Sequence, residues 1–288
     1  MSDDTATVVE GYEPGTSEWM TRMSASKVAC ALGIAPASWD SPFTLWHRMK
    51  GHLPPIEDRP ELEFGRDAEP MIVDWFARQR PELTIHPTAT FERDGWMLAT
   101  PDRLVGDDAV LEIKTAVDEW EWRVYDDEGT WERALPAHYE AQVQWQLLVT
   151  GREKAYVAVL FGNFNREWFE VAPDPETQNL LILKCGEFVD SLAGDVAPPI
   201  DGNPGTTTTL KHLHPDIDPV DIEVDGWFGW RIRQAKREHE RAESTLTRVK
   251  NEALDAMGRA RRLTTTDGKW VTRRQPGRGG VSLYINNR

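Results

Sequence analysis

The chain has 288 residues, 40% of them hydrophobic and 13 of them Trp, and a net charge of -15. That length allows one substantial domain, or a domain with an appendage, and the aromatic content excludes a wholly disordered chain. Cys30 and Cys185 are too few for a disulfide framework or a four-thiolate cluster. No apolar run nears the roughly 20 residues that cross a bilayer, and the opening MSDDTATVVEGYEPG lacks the basic and apolar parts of a signal peptide, so the expectation is a soluble protein of the reducing cytoplasm.

A polar leader over 1–19 precedes a short helix predicted from Met23 to Leu32, with Ser24 or Ser26 to cap it and Gly33 to stop it. Ser41-Pro42 starts a second helix, with Phe43, Leu45, Trp46 and Met49 apolar and Gly51 at its end. Ala68, Met71, Ile72, Trp75 and Phe76 recur at helical spacing across 65–80. Strand texture follows over Leu83–Phe91, Gly95–Thr100 and Val110–Thr115, with Asp107-Asp108 as the turn between the last two. Residues 117–135 are acidic and Trp-rich without period and read as a loop. Ala137–Val149 reads as a helix ended by Gly151, Ala155–Phe161 and Glu167–Val171 as a hairpin around Gly162-Asn163, and 175–192 as a closing helix. The main domain, 20–192, is thus a mixed α/β core.

Residues 193–224, rich in Pro, Gly, Asp and Thr, read as a linker or extended wrap. A C-terminal extension over 225–288 follows, with a long polar helix from Trp227 to Ala260 and strand character over Lys269–Ile285 interrupted by QPGRGG. From Gly226 onward there are 15 Lys/Arg against 6 Asp/Glu, which leaves an acidic body of -24. An acidic body suits metal binding and a basic tail suits phosphates, although a solvated tail reads equally well.

Pro101-Asp102 followed by Glu112-Ile113-Lys114 is the strongest constellation. If the two segments are adjacent antiparallel strands, alternation puts Glu112 and Lys114 on one face and turns Ile113 to the core. Two converging carboxylates need a cation, and with the Ile113 carbonyl they make an oxygen site for Mg²⁺ or Mn²⁺. Such a metal supports phosphodiester hydrolysis, with Lys114 orienting water or offsetting charge. The plainer alternative is a turn cap at Asp102 and cross-strand solubility charges at Glu112 and Lys114. Glu69 sits beside the apolar stripe of the GRDAE helix, where it is a further candidate ligand reaching inward to the metal, and Gln142 and Gln146 lie one turn apart on another helix.

Six ordered motifs, RMSASKVACALGIAP, SPFTLWHRMKG, FGRDAEP, LATPDRLV, LEIKTA and YEAQVQWQLLVTG, make the chain resemble the YqaJ-like phage recombination exonucleases, relatives of lambda exonuclease and the RecB nuclease domain, over about residues 20–192. The resemblance implies a PD-(D/E)XK restriction-endonuclease-like fold, a central mixed sheet flanked by helices, and cleavage of duplex DNA from 5′ ends with Mg²⁺ or Mn²⁺. It makes Asp102 and Glu112 metal ligands, Lys114 the catalytic lysine, Glu69 the helix-borne acid and Gln142 the motif glutamine. Ser26 resembles the hydroxyl contact to the terminal phosphate. Arg22 corresponds to a phosphate-binding arginine, but its spacing to Ser26 departs from lambda exonuclease. Gln146 is a further candidate for water, phosphate or the DNA strand.

The expected partners are double-stranded DNA ends, a single-strand annealing protein and, through ring formation, further copies of the chain, with no membrane partner. Alternatives are a catalytically inactive DNA-binding or assembly protein and a RecB-like or structure-specific endonuclease. An Fe–S nuclease is discounted for lack of four cysteines. Ser24-x-x-Lys27 reads as a cap, His212 and His214 as exposed loop residues rather than a metal site, and Trp120, Trp122 and Trp131 as packing rather than base stacking. Arg231, Arg233, Lys236, Arg237 and Arg241 fit either a DNA grip or a face paired with Glu238, Glu240 and Glu243.

Overall fold

The structure is a computed structural model that describes residues 6–12, 16–117, 119–125, 131–266, 268, 270–277 and 280–285. The chain forms two compact units, Met1–Ile217 and Asp218–Arg288. Among the described residues no helix is long and apolar enough to cross a membrane.

In the first unit, β1 (Thr7–Val9) and α1 (Ser17–Met20) precede β2 (Met23–Ser24) and α2 (Ala25–Ala31), so the helix expected over 23–32 begins as a short strand. Ser24 holds the N-cap position, but its hydroxyl caps nothing and meets Ser26 Oγ at 3.2 Å. α3 (Pro42–Met49) starts as its sequence predicts, with Ser41 Oγ accepting from Thr44 N. α4 (Pro60–Gln79) begins at Pro60, a favoured first-turn residue, so Gly65 lies within the helix instead of opening it.

The run Leu83–Phe91 divides at Pro87, which has no N–H for a ladder, into β3 (Ile85–His86) and β4 (Thr90–Arg93), and the halves join different sheets. β5 (Met97–Ala99) stays with β4. The partner of β7 (Ala109–Ala116) is instead β6 (Arg103–Val105), a strand too short to show alternation. The loop expected over 117–135 holds a 3-10 turn (Trp120–Trp122) and a small hairpin of β8 (Arg123–Tyr125) and β9 (Trp131–Arg133). Glu119 ties that hairpin down, accepting from Arg123 and Arg133 at 2.8 Å and from Asn163 and Asn165 at 2.6 and 2.7 Å.

α5 (Ala137–Thr150) ends at Gly151, whose φ of 68° is the left-handed conformation that stops helices. β10 (Lys154–Phe161), β11 (Arg166–Val171) and α6 (Pro175–Ser191) follow. The stretch 193–224, expected to be linker or wrap, contains α7 (Pro204–Leu213). Asn203 caps it, and Thr206 and Thr209 bury their hydroxyls against Ser41 at 2.6 Å and Thr44 at 3.0 Å.

The central sheet is mixed, in the order β11-β10-β7-β6-β3, with β7 and β10 parallel and the other pairs antiparallel. A second sheet runs β1-β4-β5-β2. Alternation along β7 splits the core. Leu111 and Ile113 pack under Ile72 and Phe76 of α4, whereas Val110 faces Val143 and Leu147 of α5. The far side of α5, through Trp145, Leu148 and Val149, meets α2 and the second sheet. Helix α5 is buried along nearly its whole length, so Gln142, Gln144 and Gln146 are buried together with its apolar residues. Helices thus flank both faces of the central mixed sheet, as the expected mixed α/β core requires.

In the second unit, α8 (Gly226–Met257) starts at Asp225, which accepts from Phe228 N at 2.6 Å. An antiparallel sheet of β12 (Arg262–Thr264), β13 (Trp270–Gly277) and β14 (Gly280–Ile285) follows, so the C-terminal extension is helical and β as expected.

Candidate functional site

Arg103 pairs with Leu111 and Leu104 with Val110, so Asp102, one residue ahead of β6, falls opposite Glu112. Ile113 N donates to Asp102 Oδ2 at 2.6 Å, fastening the carboxylate across the hairpin. Glu112 points to the α5 side and is only 4% exposed. Its Oε1 accepts from Lys114 Nζ at 2.6 Å and from Gln142 Nε2 at 2.5 Å, and its Oε2 accepts from Gln146 Nε2 at 2.7 Å. Lys114 Nζ also donates to Gln142 Oε1 at 3.1 Å. The two glutamines sit one turn apart on α5, and Val143 and Leu147 on the same helix bury the sheet. The local pattern of α5 therefore delivers two amides to one strand residue.

Electrostatics follow from crowding. Packing around Asp102 and then the Glu112 charge push its carboxyl up to about 8, against the pull of Lys114 and the Ile113 N–H. Burial draws the Lys114 ammonium down, but Glu112 and Asp102 outweigh it and raise it overall. The ammonium also lies 5.0 Å from the centre of the Tyr139 ring. Burial and Lys114 together lower the His138 imidazole.

Glu69 reaches in from α4 to Arg103 Nη1 at 2.6 Å, and the same nitrogen donates to Asp102 O at 2.5 Å. Arg103 thus braces α4 to the turn that carries Asp102. Nothing in the sequence singles out Arg103, His138 or Tyr139, because their roles depend on which elements become neighbours.

The structure brings Asp102, Glu112, Ile113, Lys114, Gln142 and Gln146 together, with Glu69 joined through Arg103. Ser26 and Arg22 are placed differently. Ser26 is exposed beside Ser24, and β2 lies parallel to β5, the strand that leads into Asp102. Arg22 is held by Glu92 at 3.2 Å and stacks on Tyr12 at 4.6 Å. Lys27 is buried and donates to the carbonyls of Trp19 at 2.5 Å and Arg22 at 2.8 Å, so it anchors the Arg22 turn and the Ser24-x-x-Lys27 pattern is structural. Among the described residues neither Ser26 nor Arg22 hydrogen-bonds to the carboxylate cluster.

For a metal, the donor set is two carboxylates and the Ile113 carbonyl. It fits a hard divalent cation: Glu112 raises the Asp102 carboxyl through like-charge repulsion that a cation relieves, and the buried Gln146 Oε1 has no partner. Among the described residues no three His, Cys, Asp or Glu side chains gather as a ready-made site, and Glu69 is committed to Arg103.

A cavity of about 650 Å³ lies elsewhere, lined by Phe43, His47, His52, His212 and His214 among others, and shares no residue with the cluster. His212 and His214 thus sit at the end of α7 rather than in a loop, and no metal grouping forms there among the described residues. Trp122 is core, packed on Tyr139, Phe161 and Phe169. Trp120 and Trp131 sandwich the Arg123 guanidinium at 4.2 and 4.0 Å.

No curated protein matches the chain in sequence. Solved structures similar to it include the alkaline exonuclease LHK-Exo of Laribacter hongkongensis, at 17% identity over 62% of this chain and 93% of that one, with a TM-score of 0.45. A phage-related exonuclease of Haemophilus somnus is similar at 13% identity over 67% of this chain and 96% of that one, also with a TM-score of 0.45. Residues 19–153, which contain every residue of the cluster, match the family described as the YqaJ-like viral recombinase domain. That match spans just under half of the chain and leaves residues 154–288 outside it, so the similarity to the family is one of this segment.

Proposed function

We propose that the chain is a metal-dependent DNA exonuclease that resects linear duplex from 5′ ends, supplying single strands to an annealing protein. The observation that carries this reading is the bonded cluster of Glu112, Lys114, Gln142 and Gln146 facing Asp102. Asp102, Glu112 and the Ile113 carbonyl would hold Mg²⁺ or Mn²⁺. A cation held there would supply Lewis-acid chemistry, polarisation of a phosphoryl oxygen and acidification of a water.

The chain's own groups do the rest. Lys114 keeps its proton between two carboxylates and offers N–H donors to a water or a phosphoryl oxygen as negative charge develops. Gln142 spans Lys114 and Glu112, holding the ammonium in place, and Gln146 orients the other Glu112 oxygen. Arg103 and Glu69 keep the Asp102 turn in position. Ser26, exposed near the strand that feeds Asp102, is assigned the terminal phosphate, whereas Arg22 would have to leave Glu92 to help.

The test is degradation of end-labelled linear duplex and closed circular DNA with Mg²⁺, Mn²⁺ or EDTA, for wild type and Asp102→Ala. Metal-dependent loss of the linear duplex alone, abolished by the substitution, is expected. A wild type that binds DNA but degrades none with either metal overturns the reading and leaves a DNA-binding assembly protein. Cutting of the circle instead indicates an endonuclease.

A further inference from the structure

Helix α8 leaves large apolar side chains in water. Met257 is its buried residue, while Phe228, Ile232, Leu246 and Val249 are 49%, 59%, 48% and 48% exposed. These four, with the alanines between and beyond them, fall on one stripe in alternating steps of four and three residues, with His239 its single polar member. That is the seven-residue repeat of a helix that packs along another helix. Trp227 and Trp230 stack on each other at 4.7 Å, off the stripe.

We propose that α8 is a self-association surface, pairing antiparallel with α8 of a second copy about a two-fold axis. The residues flanking the stripe select this arrangement. In a parallel pair Arg231 would meet the partner's Lys236, and Glu238 the partner's Glu243, like against like. In the antiparallel pair that sets Ile232 against the partner's Val249 and Ala235 against the partner's Leu246, Lys236 meets the partner's Glu243 and Arg231 the partner's Glu252. Symmetry makes each of these contacts twice.

Sliding by one repeat in one direction sets Lys236 against the partner's Lys250, and in the other sets Lys236 and Glu238 against their own copies. One register therefore joins the full stripe with opposite charges on both flanks. Phe228 then covers the partner's Ala253, and the central layer is His239 on the partner's Ala242, where small side chains let the helices approach closely. The flanking groups are available: the side chains of Lys236 and Glu243 are 76% and 65% exposed, with only one-turn pairs at 3.9 Å to Glu240 and 3.4 Å to His239.

The experiment is sedimentation of the full chain, with far-ultraviolet circular dichroism as a check on folding. Wild type is expected to associate through α8, and Ile232→Glu/Leu246→Glu to halve the particle mass with unchanged helix content, since both positions are exposed in the folded chain. Lys236→Glu should weaken association about tenfold, because two exposed ion pairs become two repulsions. Lys236→Glu/Glu243→Lys should restore it. A monomeric wild type, or a particle mass that survives Ile232→Glu/Leu246→Glu, overturns the surface. Tighter association of Lys236→Glu overturns the antiparallel register, because a parallel pair would gain from that change.

Discussion

In β7 the Glu112 carboxylate is 4% exposed and both its oxygens accept from protein donors, whereas in α8 the side chains of Lys236, Glu240 and Glu243 stay more than half exposed and pair loosely along their own helix. Both regions are rich in charge. In β7 desolvation makes each partner matter, because a group left unpaired there keeps its full penalty. In α8 water screens each pair, so single charges are nearly silent and act only in concert, as a pattern that selects a neighbour. Chemistry is therefore expected where charge is buried and matched, and association where it is exposed and periodic.

That contrast breaks most visibly at the packed end of β7. A Cβ on Gly162 would lie 2.6 Å from Val117 O, where Gly162 N donates to Ala116 O at 2.8 Å. Gly162→Ala should cost about 2–3 kcal/mol in denaturant unfolding, since backbone must move. Next comes Gln146→Leu, which strips Glu112 Oε2 of its donor and should cost about 1–2 kcal/mol, reduced because the unpartnered Gln146 Oε1 leaves as well. A neutral result would mean that the buried network is not matched as described.

Asp102→Asn should act in the opposite direction. The folded carboxyl titrates near 8 against an ordinary 3.8, so the folded chain holds a proton that the unfolded chain has lost between those values. Its stabilising contribution is complete below about pH 4 and is lost as pH rises through 8. In EDTA, Asp102→Asn should therefore melt several degrees above wild type at pH 8 and match it near pH 4. Mg²⁺ should raise the wild-type melting temperature more at pH 8 than at pH 6, where it must displace the proton, and leave Asp102→Asn unmoved. At the quiet end, Arg237→Ala in α8 should change stability by less than about 0.5 kcal/mol. A loss above about 1 kcal/mol would contradict the exposure of that face.

The cluster was legible because Asp102 and Glu112-Ile113-Lys114 belong to one local hairpin, where period-two alternation places side chains without long-range knowledge. The helix starts at Ser41 and stop at Gly151 were legible for the same reason. β6 was hidden by its three residues, and the hairpin was accordingly assigned to the strand before it. α7 was hidden because Thr206 and Thr209 bury hydroxyls, which hydropathy reads as loop. Arg103 and Tyr139 meet the site only after α4 and α5 pack on opposite faces of β7. The stripe of α8 was visible only as scattered apolar residues until the helix had bounds and exposed sides.

The central claim is that Lys114, paired with Glu112 and Gln142, acts in cleavage rather than in folding or DNA capture. The direct measurement is single-turnover release of nucleotides from linear duplex with Mg²⁺ by Lys114→Met, beside DNA affinity measured with Ca²⁺ and the melting temperature. The expected result is a rate about 10³-fold lower with affinity within about threefold of wild type. Cleavage near the wild-type rate by a folded, DNA-binding Lys114→Met chain would contradict it.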